Sequence, residues 1–493
     1  MTILINELMN ESGVQFGTSG VRGLVDDMTD QVCFSYVTAF LQYLLDNRLT
    51  EKNSKIAIAG DLRSSTPRIM NATAAACENL GFNVVNCGNI PSPAVALFGL
   101  ESGIAAIMVT GSHIPDDRNG IKFNTPNGEI LKADEQGIRN QKISIPKSLF
   151  TMQGQLIKNE YLPLVDFTAR MNYIKRFTSF FPENCLQSIN IGLYEHSSVS
   201  RDCFKELFEL LGANVTSLGR SDAFISVDTE AIRSEDVELA HQWSDSYGFD
   251  CIVSTDGDGD RPLISDEKGK WLRGDVAGIL CAQYLSSEIV ITPVSSNSSV
   301  EKSSFFDEVI RTKIGSPYVI EAMQNATKDT NKTVVGYEAN GGFLQQTRID
   351  QEGRCLQALP TRDAAIVPLT IMLLAKKNKL TISELISKLP QRYTYSDRVK
   401  NFPTQLSQKI IANFTSGSLG DNLEKIREQF SDCGKPVSID TIDGLRITFS
   451  SQEIVHLRPS GNAPECRCYT EAESESRAKM LNEYGINILN GFR

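Results

Sequence analysis

The chain has 493 residues, 41% hydrophobic and 22% charged, which suits several packed globular domains, roughly three or four by length. With 49 basic against 60 acidic residues the net charge is −11, so neither a nucleic-acid surface nor a polybasic membrane contact is expected, and an anionic substrate would need locally gathered cations. The eleven scattered cysteines form no C-x-x-C pair and read as reduced core residues of a cytoplasmic protein, while Met1–Asn10 lacks a secretion pattern and no apolar run reaches about 18–20 residues.

After a short polar lead-in, Phe16-Gly17-Thr18-Ser19-Gly20-Val21-Arg22-Gly23 is a loop able to bring N–H groups to an anion, or simply to reverse the chain. A helix through 33–45 follows, then a strand at 55–60 and a second helix ending near Leu80. The apolar run 103–109 predicts a buried strand, broken by Thr110-Gly111-Ser112-His113-Ile114-Pro115. Ser112 therefore stands at a strand's C-terminal end, where open α/β sheets place ligands. Its hydroxyl reads either as a nucleophile, with His113 beside it and Lys122 ten residues on, or as a turn cap.

Glu78-Asn79-Leu80-Gly81-Phe82-Asn83-Val84 recurs as Glu209-Leu210-Leu211-Gly212-Ala213-Asn214-Val215, each copy after a strand and a helix, with glycine at the helix cap. Two such units about 130 residues apart predict duplicated α/β domains. Residues 147–166 suit an interdomain crossing before a helix near 173–180.

The strand at 250–254 runs into Thr255-Asp256-Gly257-Asp258-Gly259-Asp260-Arg261-Pro262, three carboxylates that can converge on one hard divalent cation. A calcium loop of the EF-hand type, with Glu267 at its twelfth position, is disfavoured because Arg261 replaces the required glycine and a strand precedes it; magnesium fits better. A further strand at 333–337 ends in Glu338-Ala339-Asn340-Gly341-Gly342, suited to sugar hydroxyls or to an ordinary turn. A helix over 364–376 precedes a last domain carrying Arg458-Pro459-Ser460-Gly461-Asn462-Ala463-Pro464, which reads as a phosphate grip or a proline-stiffened turn.

These four loops, in this order, resemble the α-D-phosphohexomutase family, especially its phosphomannomutase branch, over Phe16 to about Ala472. The resemblance implies three related α/β domains plus a smaller C-terminal α+β domain around a central active-site cleft, with expected bounds 1–155, 156–268, 269–382 and 383–493. It implies that Ser112 carries a phosphoryl group and that Asp256, Asp258 and Asp260, with a phosphoserine oxygen, hold one Mg2+. Arg22 and Lys122 would manage protons and charge, with His113 positioning the loop. Arg261, Glu338, Asn340, Arg458, Ser460, Gly461 and Asn462 would bind substrate. The expected reaction interconverts hexose 6-phosphate and hexose 1-phosphate, with mannose as the sugar and a hexose 1,6-bisphosphate as intermediate and activator.

Departures from the family pattern are Asn340 and Gly342, where serine and histidine are common, and Asn462-Ala463, where a Thr-Glu pair is common. The alternatives are a phosphoglucomutase or phosphoglucosamine mutase, a magnesium-dependent sugar phosphatase, or a non-catalytic sugar-phosphate-binding protein. A monomer or homodimer is expected, with a phosphorylated hexose as the only partner.

Overall fold

The computed structural model describes residues 2–158, 160–460 and 464–493, in two compact units: Met1–Ser287 with Gly315–Leu385, and Glu288–Ile314 with Ile386–Arg493. In the first unit the apolar runs become parallel strands. Lys55–Gly60 pairs in parallel with Asn83–Asn89 on one side and Ala105–Val109 on the other, and Ala105–Val109 pairs antiparallel with Arg118–Thr125. Buried on both faces, Ala105–Val109 needs no apolar/polar alternation, which is why it reads as an unbroken apolar run.

A second sheet repeats this plan strand for strand. Asn190–Tyr194 pairs in parallel with Asn214–Leu218 and with Cys251–Thr255, which turns back antiparallel into Pro262–Ile264. The sequence repeat falls at equivalent places. Helices Thr66–Asn79 and Arg201–Leu210 each run through a left-handed glycine, Gly81 at φ +81° and Gly212 at φ +94°, into the next strand. Val334–Tyr337 likewise turns back antiparallel into Phe343–Gln345. The serine, acidic and Glu/Asn loops thus share one topological position, between a buried strand and its antiparallel successor.

The expected multi-domain α/β fold is borne out. The lead-in departs from expectation: Ile5–Ser12 is a helix because Ile5, Leu8 and Met9 recur at i, i+3 and i+4 and face the core, and Thr2–Leu4 pairs with Lys142–Ser144. In the second unit a five-stranded antiparallel sheet, ordered Tyr393–Val399, Cys466–Ala472, Ile454–Pro459, Leu445–Phe449 and Pro436–Asp440, is backed by helix Glu475–Gly491. All eleven cysteines are free, nine of them buried. No helix among the described residues is long and apolar enough to cross a membrane.

Two fully buried histidines tie strands to neighbouring loops: the Nε2 atoms of His196 and His456 lie 2.8 Å and 2.6 Å from the carbonyl oxygens of Thr255 and Asp443. Burial pushes both imidazoles down from 6.5 to about 4. Between these values the unfolded chain takes up protons that the folded chain refuses, so this contribution is complete above pH 6.5 and is lost as pH falls toward 4. Each histidine contributes a slope of at most about 1.4 kcal/mol per pH unit. The denaturation midpoint of H456Q should therefore fall less between pH 7 and 5 than that of the wild type; equal falls would contradict the assignment.

Candidate active site

The acidic loop begins where Cys251–Thr255, buried throughout, delivers Asp256. The Oδ1 of Asp256 accepts the backbone N–H groups of Asp260 and Arg261, both at 3.2 Å, and its own N–H reaches the carbonyl of Arg261, so the carboxylate closes its own turn. Asp256, Asp258 and Asp260 are all buried, with ligand oxygens within 4.8 Å of one another. Three like charges this close are tolerable only with cations among them. Lys122, carried by the neighbouring sheet, places Nζ 2.5 Å from Asp258 Oδ2 and 2.6 Å from Asp260 Oδ2. Arg362 Nη2 stands 2.9 Å from Asp260 Oδ2, and Ser92 Oγ donates to Asp258 Oδ2 at 2.5 Å.

Burial works against ionisation of Asp258, but Lys122 and the bonds from Lys122 and Ser92 hold it well below the usual carboxylate range. Asp256 moves upward, through burial and then the neighbouring Asp258 and Asp260 charges. The remaining oxygens, Asp258 Oδ1 and Asp260 Oδ1, are buried and accept no hydrogen bond. Such atoms are costly unless a cation meets them, so the donor set fits a hard divalent metal. The calcium-loop alternative loses its twelfth ligand, because the Glu267 carboxylate instead accepts from Ser383 N and Oγ at 3.1 and 2.5 Å.

Ser112 tops the equivalent loop of the first sheet. It is 1% exposed and left-handed at φ +57°, a conformation that a non-glycine residue keeps only when its surroundings enforce it. Its N–H donates to Thr110 Oγ1 at 2.7 Å, and its Oγ donates to Asp256 Oδ2 at 2.6 Å. The two loops are in van der Waals contact: a Cβ on Gly257 would lie 2.8 Å from the carbonyl oxygen of Ser112.

His113 Nδ1 is 3.4 Å from Ser112 Oγ but 2.9 Å from Arg261 Nη1, which donates to it, and Ser226 Oγ donates to the His113 carbonyl. Burial, then the Arg261 charge, pushes the imidazole down to about 3. The Nδ1 of this ring is thus engaged by Arg261 more closely than by Ser112.

Arg22, on the strand beside Lys122, is lowered to about 10 by burial and by the like charges of Arg261 and Arg362, with Asp258 and Asp260 opposing. Glu338 lies 3.6 Å from Arg362 Nη1 and is raised by burial. The Asn340 side-chain oxygen accepts from Gly342 N at 3.0 Å, so it shapes its own loop.

Within the second unit, Arg458 Nε donates to Asp443 Oδ2 at 2.7 Å, and the N–H of Ser460 donates to the Glu465 carbonyl. Gly461 and Asn462 lie outside the described residues. Arg458, Arg467 and Arg398 occupy the same register position on three adjacent strands. Two of them already meet carboxylates, Arg458 at Asp443 and Arg398 at Glu465, 3.5 Å away.

Sequence reading missed Arg362 and Ser92, which meet the acidic loop. Neither had a readable signal, because each reaches the loop through a contact between segments remote in sequence.

Comparison with known proteins meets this geometry. Phosphoglucomutase/phosphomannomutase alpha/beta/alpha domain I matches residues 13–147, alpha/beta/alpha domain III matches 273–393 and the C-terminal domain matches 412–484. A phosphomannomutase of Salmonella muenchen is 46% identical over 97% of this chain and 96% of its own length, and one of Sinorhizobium fredii is 40% identical over 97% and 99%. The crystal structure of a phosphoglucomutase/phosphomannomutase family protein from Burkholderia thailandensis superposes with a TM-score of 0.73 at 18% identity, covering 96% of both chains. With its serine loop seated on a buried carboxylate cluster and matches along nearly its whole length, the chain belongs to the phosphoglucomutase/phosphomannomutase family.

Proposed function

We propose that this enzyme is an intramolecular phosphotransferase that interconverts mannose 6-phosphate and mannose 1-phosphate, with Ser112 as the phosphoryl carrier. The observation that carries this reading is the 2.6 Å contact of Ser112 Oγ with Asp256 inside a buried, cation-compensated carboxylate cluster. In the first half-reaction the free sugar hydroxyl forms a bond to phosphorus, the Oγ–P bond of phospho-Ser112 breaks, and the hydroxyl proton is passed on so that Oγ leaves protonated. The 1,6-bisphosphate then reorients, and its other phosphoryl group returns to Ser112 by the reverse exchange.

Lys122 and Arg22 are the proton and charge carriers of this scheme. Lys122 is raised by Asp258 and Asp260 against the effect of burial and so brings a fixed positive charge, and Arg22, lowered to about 10 by burial and by Arg261 and Arg362, brings a second one beside it. Mg2+ held by Asp256, Asp258, Asp260 and a phosphoserine oxygen would stabilise charge on the transferring group. Arg261 and Glu338 line the sugar end, with Asn340 shaping the turn beneath it. Arg458, Ser460, Gly461 and Asn462 hold the phosphate that is not reacting.

Hexose 1,6-bisphosphate serves as the activator by phosphorylating Ser112. The four-domain division at 155/156, 268/269 and 382/383 belongs to this reading, as does a cytoplasmic location, which the free cysteines suit. Mannose is favoured over glucose or glucosamine by the two relatives named phosphomannomutases and by Gly111–Ile114 with Asp117–Gly120.

S112A should keep the wild-type fold and lose turnover by on the order of 10³-fold or more; near-normal mutase activity in a coupled assay would refute the carrier role. Chelation should abolish turnover and added Mg2+ restore it, with a rise in thermal midpoint on metal binding that S112A retains in part. In side-by-side assays with a trace of bisphosphate, kcat/KM should be highest for mannose phosphate, and a preference for glucosamine phosphate would overturn the sugar while leaving the chemistry standing.

A further inference from the structure

Arg63 is among the largest fully buried side chains, and it touches none of the carboxylates around Lys122. Its guanidinium spends all five N–H groups. Nε donates to Asp61 Oδ2 at 3.2 Å, Nη1 to the carbonyls of Pro115 and Arg118 at 2.7 and 3.0 Å, and Nη2 to those of Ser112 and Ile114 at 2.9 and 2.6 Å. Four carbonyls of one loop therefore converge on one planar fork, and one of them belongs to Ser112.

The fork is fixed from both sides. Asp61 also accepts from Thr66 Oγ1 and from Thr110 Oγ1, the hydroxyl that in turn receives the N–H of Ser112. The guanidinium carbon sits over the ring of Phe224, from the segment between the second and third strands of the second sheet, 3.9 Å from its centroid. The same ring edge would lie 3.0 Å from a Cβ on Gly257, inside the acidic loop. Gly111 fits only because it lacks a side chain, since a Cβ there would meet the guanidinium at 2.7–2.9 Å.

From this geometry we infer that Arg63, stacked on Phe224, is the positioning residue that holds Ser112 in its left-handed conformation and sets its hydroxyl against Asp256. The inference rests on Ser112 being the phosphoryl carrier. The guanidinium reaches no reacting atom; it acts through the loop backbone, and Phe224 ties that backbone to the loop that presents the carboxylates. A displacement of Ser112 by about 1 Å is enough to cost on the order of 10²-fold in rate. Lysine, with three N–H groups on a point-like head, cannot span the same five acceptors.

The test uses the full chain with Mg2+ and 32P-labelled mannose 1,6-bisphosphate. R63K and F224L, compared at equal folded fraction by circular dichroism, should label Ser112 more slowly, by about 10²-fold for R63K and about tenfold for F224L, with kcat falling in step. KM for the monophosphate should stay within about threefold, because the groups that grip the sugar are untouched. A purely structural arginine would lower the folded fraction and leave the labelling rate per folded molecule unchanged. Labelling of both variants within about threefold of wild type, while S112A remains unlabelled, overturns the inference alone. Should R63K not fold, F224L decides by the same criterion. Labelling and turnover retained in S112A would instead overturn the phosphoserine reading itself.

Discussion

Compensation of three buried carboxylates is the constraint on which the site depends. Asp256, Asp258 and Asp260 could not stay ionised out of water on their own. Two of the cations that steady them come from elsewhere in the chain, Lys122 from the first sheet and Arg362 from the approach to helix Ile366–Asn378, and a third, Arg261, from the loop itself. The electrostatic problem thus draws separate segments of the first unit together. It leaves Asp258 Oδ1 and Asp260 Oδ1 without hydrogen bonds, and these are the atoms a divalent cation would satisfy.

The repeated sheet explains why Ser112 and Asp256 meet. Ser112 and Asp256 each follow the buried strand that precedes an antiparallel return, and Glu338 follows a strand with the same kind of return. Loops at that position emerge at the carboxyl edge of their sheet, where the backbone is free of ladder bonds and side chains of different chemistry can be installed without disturbing the core. One topological position carries three different side-chain sets: a serine hydroxyl, a buried carboxylate cluster, and a carboxylate directed at an arginine.

The two most informative stretches of sequence were those where an apolar run stops at residues that cannot extend a strand. Val109-Thr110-Gly111-Ser112 and Thr255-Asp256-Gly257-Asp258 are legible because a buried strand must be apolar and a tight loop favours glycine, constraints that act within a few residues. The duplicated Leu-Gly caps were legible for the same reason. The lead-in helix Ile5–Ser12 is not legible, because its three core contacts are spread through a polar segment too short for the periodicity to stand out.

Sequence alone determined the residue types and their order: a serine, three alternating carboxylates, a Glu/Asn turn and an arginine-serine loop, each at a strand end. It also carried the family resemblance, since that resemblance is a matter of motifs. Tertiary structure decided the partnerships, because hydrogen bonds and ion pairs depend on distance in space, which local pattern does not encode. That His113 faces Arg261, that Ser92 and Lys122 share Asp258, and that Arg63 gathers four carbonyls of the serine loop over Phe224 all join residues from separate elements. The chemistry is written locally, and its alignment is a property of the packed fold.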